Sequence, residues 1–145
     1  MTSTTANTAR PATRHRYRAL TVLIAAAAAL LVWVVAVPIV GHELLVPQSG
    51  DQKASEITAP YVLVMSLAAS LAGWLLLVIL ERHTARPHAI WTVIASVTLL
   101  VSFTPLLTLE LATATRIWLA LMHLAVAAIL IPALPRSAAG PPPSA

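Results

Sequence analysis

Four apolar stretches, residues 20–40, 61–80, 89–109 and 117–134, take up more than half of this 145-residue chain, and none contains Asp, Glu, Lys or Arg. A helix needs roughly 20 mainly apolar residues to cross the roughly 30 Å hydrocarbon core of a bilayer. A soluble helix of that length carries a polar stripe at helical spacing, which none of the four does. The fold class that follows is all-α: an integral membrane four-helix bundle spanning residues 19–135. It is flanked by a basic disordered tail at 1–18 and a Pro-rich disordered tail at 136–145.

Charged residues make up 10% of the chain, against about 25% in an ordinary soluble domain. A monomeric soluble fold of this size cannot hide so much apolar surface. The net charge of +4 does not point to nucleic acid, because the basic residues lie in tails and connections rather than on one face. Cysteine is absent, which excludes disulfides, thiolate metal sites and thiol nucleophiles. Eight Arg to a single Lys, with abundant Ala, fits a GC-rich bacterial genome.

The basic residues alternate with the spans. Arg10, Arg14, Arg16 and Arg18 precede the first, Arg82 and Arg86 follow the second, and Arg136 follows the fourth. The other connections hold only Lys53 and Arg116. The positive-inside rule then places both termini in the cytoplasm and the chain in the cytoplasmic membrane as a multi-pass protein. The first apolar run is too long for a signal core, and Pro38 follows its best small-residue site, so an uncleaved helix is expected.

Polar residues inside hydrocarbon must find partners, so their positions carry the functional signal. The second span offers Ser66, Ser70 and Gly73, with Ala69 and Gly73 four apart as in close helix packing. The third holds Ser96 and Ser102, and Pro105 near its outer end predicts a kink or a helix stop. His123 lies in the middle of the fourth span, at the depth of Ser70 and the 96–102 stretch. The economical structural reading is a His123–Ser hydrogen bond across helices. The functional reading is a polar pocket of His123, Ser102, Ser70 and Ser96, capped by Glu110 at the outer rim. Glu110 and Arg116 are close enough in sequence to pair. No spacing of His42, Glu43 and Glu110 matches a zinc pattern, and with one deep histidine a bis-histidine haem is not expected. No metal or other cofactor is therefore expected. The Glu81-Arg82-His83 and Arg86-Pro87-His88 turn reads as a contact for anionic lipid, while Trp91 and Trp118 read as interfacial anchors.

Glu81-Arg82 through Arg86-Pro87, Ile90-Trp91-Thr92, Ser102-Phe103-Thr104-Pro105-Leu106, and Leu121-Met122-His123-Leu124 followed by Ile131-Pro132 make up a recognisable series. Over roughly residues 18 to 135 it resembles a bacterial family of four-helix membrane proteins, domain-of-unknown-function family 6069. The resemblance implies a four-helix bundle in the cytoplasmic membrane and no activity. It also implies that Ser102, Pro105 and His123 belong to a recurring pattern.

Two functions compete on this reading. One is an integral membrane protein that acts through helix packing, with a second copy or another membrane protein as partner besides the bilayer. The other is a binder of a lipid-like small molecule, or a membrane enzyme, with its pocket at His123. No catalytic set is present in the sequence, so the reading leans away from an enzyme.

Overall fold

The computed structural model describes residues 11–47 and 54–136, with side chains from residue 14 onward. It contains α1 (Pro11–Val34), a π-helical turn (Val35–Ile39), β1 (Leu45–Val46), β2 (Ser55–Glu56), α2 (Ala59–His83), α3 (Pro87–Ser102), α4 (Thr104–Thr108) and α5 (Thr113–Arg136). Four helical segments, Arg14–Ile39, Ala59–His83, Pro87–Thr108 and Thr113–Arg136, are long and apolar enough to cross a membrane. In the bundle α1 packs on α2 and α5, and α3 packs on the same two helices.

The first helix differs from expectation at its start. Residues 11–18 belong to α1 rather than to a disordered tail. The reason is electrostatic. Arg14 and Arg18, one turn apart, both reach Glu81 near the end of α2, Arg14 Nη2 at 2.9 Å and Arg18 through both Nη atoms, at 2.5 and 3.2 Å. Arg18 is almost wholly buried. Glu81 therefore serves an ion-pair cluster within the bundle, and lipid contact does not account for the whole of the 81–88 turn. Residues 1–10 of the expected tail lie outside the described residues, as does the Pro-rich tail beyond Arg136.

Further along α1, Ala25, Ala26 and Ala29 are buried, and their small side chains let α2 and α5 come close. The helix widens at Pro38, which has no N–H and whose ring clashes with the preceding turn. Val40 N–H bonds the Val35 carbonyl at 3.0 Å, a π spacing. Gly41, at φ +76°, then ends the helix in a left-handed conformation that glycine adopts without strain.

The connection after α1 holds a short antiparallel hairpin, an element the all-helical expectation lacked. Leu45 pairs with Glu56 and Val46 with Ser55, and Ile57 N–H bonds the Leu44 carbonyl at 2.9 Å. Leu44 is fully buried in a cluster with Ala29, Ala36, Ile57, Val62 and Met122. Trp33 Nε1–H, on α1, bonds the Ile57 carbonyl at 2.8 Å and ties the hairpin's exit to the bundle. A second cluster, Ala25, Leu77, Trp91, Leu130 and Leu134, fills the opposite end. Trp91 is buried there and donates to the Gly73 carbonyl at 2.9 Å, so it is a packing residue rather than an interfacial anchor.

Candidate functional site

α3 is the least embedded of the four long helices, with Trp91 as its one buried residue. Space is left where it faces α2 and α5. One cavity, of about 370 Å³, lies toward the hairpin and is walled by Tyr61, Met65 and Ser66 of α2, Pro105 and Leu109, and Met122 of α5. A second, of about 430 Å³, lies toward the α2–α3 turn and is walled by Gly73, Leu76, Trp91, Thr98 and Leu130. Ala69, Ser102, His123 and Val126 line both. The cavities are therefore two adjoining chambers with a common wall at His123.

The chain places His123 there by helical geometry. Met122, its neighbour, is buried in the cluster against α1, and the 100° turn to the next residue of α5 points His123 away from α1 and toward the gap between α2 and α3. The ring is held from two sides. Its Nδ1 lies 2.7 Å from the Leu119 carbonyl, one turn back in the same helix. Phe103 packs against it, with ring centroids 6.3 Å apart and planes tilted by 47°. Phe103 reaches that position because the helix is interrupted there: α3 stops at Ser102 and α4 starts at Thr104, one residue before Pro105. Proline disfavours continuous α-helix just ahead of itself.

The expected pocket residues separate into three groups. Ser102 joins His123 on the divide, and Pro105 lines the hairpin-side chamber. Ser70 is buried and Ser96 partly buried, and neither lines either chamber. Glu110 is exposed and caps neither chamber, although Leu109 and Leu111 on either side of it line the first. Among the described residues Glu110 and Arg116 form no ion pair, and the Arg116 Nε is buried without a hydrogen-bond partner.

The His123–Ser hydrogen bond expected across helices does not form. The hydroxyls of Ser102, Ser70 and Ser66 instead donate within their own helices: Ser102 to the Leu99 carbonyl at 2.6 Å, Ser70 to Ser66 at 2.6 Å, and Ser66 to Leu63 at 3.1 Å. A carbonyl one turn back is always in reach and costs no rearrangement, so it wins over a partner on another helix. His123 does the same. Its partner carbonyl can only accept, so Nδ1 carries the proton and, in the neutral ring, Nε2 is an acceptor. Among the described residues no protein group bonds Nε2.

Sequence reasoning missed Ala69 and Val126 as the apolar half of the divide, and Phe103 as the ring that braces His123. Ala69 carried a signal, the four-residue spacing to Gly73, but that spacing reads equally as close helix packing. Val126 carried none. Among the described residues no three His, Cys, Asp or Glu side chains come together as a metal site would require.

Chemically, the site is an apolar, two-chambered recess with one imidazole and one hydroxyl where the chambers meet. No carboxylate and no cation lines it among the described residues. It can hold a molecule; it contains no nucleophile and base in contact. No curated protein and no solved structure matches this chain. A family model described as a family of unknown function, DUF6069, does match it, over residues 9–140, and the chain belongs to that family.

Proposed function

We propose that this chain is a multi-pass protein of the cytoplasmic membrane that binds a lipid-like molecule in the divided recess at His123. The observation that carries the reading is the pair of chambers sharing Ala69, Ser102, His123 and Val126. Each has a volume within the range of about 300–1,000 Å³ in which small-molecule sites fall. Access is lateral. Tyr61 and Met65 of α2, and Pro105 and Leu109 across the gap, line the hairpin-side chamber and are also exposed, so its mouth opens where acyl chains would lie. The antiparallel arrangement puts the starts of α1 and α3 and the ends of α2 and α5 at one end of the bundle. Arg14, Arg16, Arg18, Arg82, Arg86 and Arg136 gather there, which supports a cytoplasmic assignment for that end.

A photoactivatable alkyl-diazirine lipid, equilibrated with the protein in nanodiscs, tests the reading. Adducts are expected on wall residues such as Met65 and Met122, and Ala69→Phe, which fills the divide, is expected to remove them. Labelling confined to the outward face of α3, and unchanged by Ala69→Phe, would overturn it. That outward face supports a second reading, a partner helix or second copy. Val93, Val97, Leu100 and Val101 on it are all more than half exposed. Crosslinking from Val97 in native membranes tests that reading; a product only at monomer mass counts against it.

A further inference from the structure

The hydrogen bonds at the divide restrict what the occupant can be. We infer that the molecule held in the recess is an apolar alcohol, with its hydroxyl donating to His123 Nε2; this rests on the reading of the recess as a binding site. The Nδ1 proton is engaged with the Leu119 carbonyl, the Ser102 hydroxyl proton with Leu99, and the Ser66 hydroxyl proton with Leu63. At the place where the chambers meet, the remaining polar capacity is lone pairs: Nε2 of the neutral ring and the Ser102 oxygen. The other wall hydroxyls, Tyr61 and Thr98, are exposed, and neither lines both chambers.

A site made of acceptors selects by elimination. A ketone, ester or ether presents only acceptors and leaves its own oxygen and Nε2 unsatisfied, which costs free energy in an apolar surrounding. An ionised fatty carboxylate meets no cation and no unengaged donor where the chambers meet, among the described residues. An ammonium group would need a carboxylate, and none lines either chamber among the described residues. A neutral hydroxyl satisfies Nε2 and desolvates no charge. The two chambers then take the apolar parts on either side of it, so the best-fitting alcohols carry the hydroxyl within the molecule or on a chain that folds back. The Leu119 carbonyl anchors Nδ1 and Phe103 packs beside the ring, so part of the ordering of the imidazole precedes the arrival of the alcohol.

The test uses the full chain in nanodiscs and three diazirine probes of one chain length: a secondary alcohol, its methyl ether and the matching fatty acid. Labelling of Met65 and Met122 is read against probe concentration in the bilayer. The alcohol is expected to half-saturate at a concentration roughly 5- to 10-fold lower than the ether, the effect of one neutral hydrogen bond. His123→Leu should erase that difference while leaving ether labelling in place, and His123→Gln, which keeps an acceptor, should restore part of it. If His123→Leu does not fold, the alcohol-to-ether ratio on the natural chain still decides. Equal labelling by alcohol and ether, or preference for the acid, overturns the inference and leaves the binding site standing. No saturable labelling of the walls by any probe removes the binding site itself.

Discussion

Replacing Glu81 with Gln should destabilise the bundle far more than removing its exposed partner Arg14. Glu81 accepts from Arg14 once and from Arg18 twice, and the two contacts differ in setting. The Arg18 side chain keeps 2% of its surface and Glu81 18%, whereas Arg14 keeps 43%. Removing one member of a buried pair costs about 3–5 kcal/mol where the other charge keeps no compensation, and Arg18 has a further interaction besides Glu81 that offsets part of this. The residual exposure of Glu81 puts this case near the lower figure, so Glu81→Gln should cost about 3 kcal/mol, or roughly a 150-fold change in the folding constant. The exposed Arg14 contact is screened, and Arg14→Met should cost less than about 1 kcal/mol. The double change Arg18→Met with Glu81→Met should cost less than Glu81→Gln alone, because it removes both charges together. Unfolding in mixed micelles of rising SDS fraction, followed by circular dichroism, measures all three. The reasoning is refuted if Glu81→Gln and Arg14→Met cost the same. It is also refuted if the double variant is the least stable of the set.

Three further outcomes can be checked in the same unfolding assay. Gly41→Ala meets no atom within 4 Å, so its cost is that of the left-handed backbone alone, about 1–2 kcal/mol, with Gly41→Asn costing less. A Cβ at Gly73 would sit 3.8 Å from the Trp91 ring, an ordinary contact, so Gly73→Ala should be neutral or should stabilise α2 by up to about 1 kcal/mol. Gly73→Leu should lose stability and release the Trp91 indole, read as a red shift in its fluorescence. Leu44→Ala removes a fully buried side chain from the hairpin-end cluster and should cost about 2–5 kcal/mol. Proteolysis within 41–58 should accelerate with it.

What the sequence disclosed about this fold follows from how far each signal acts along the chain. Apolar run length is set by residues next to one another, so the four long helices were legible, and so was a helix interruption near Pro105. Small residues at four-residue spacing are also local, but the spacing does not say which pair is covered: Ser66 and Ser70 are buried, whereas Ala69 is exposed and Gly73 half-buried. The start of α1 was not legible, because Arg14 and Arg18 read as topogenic charge until Glu81, more than 60 residues later, is seen to lie beside them. The hairpin was hidden for the same reason. Leu44 and Ile57 are ordinary loop residues until α1 supplies Trp33 to bind the strand's exit.

The candidate site shows the limit most clearly. His123 drew attention because a deep imidazole must bond something, and that principle holds. The partner was misread because depth matching treats every hydroxyl at the same level as available. In a helix it is not, since the carbonyl one turn back captures the proton first. Ser70 and Ser102, two of the serines expected to satisfy His123, have satisfied themselves, and the ring has taken the Leu119 carbonyl by the same rule. Local satisfaction leaves Nε2 with an unused acceptor, and among the described residues no protein donor is bonded to it. Any molecule that does bond it must therefore enter the recess with a donor of its own.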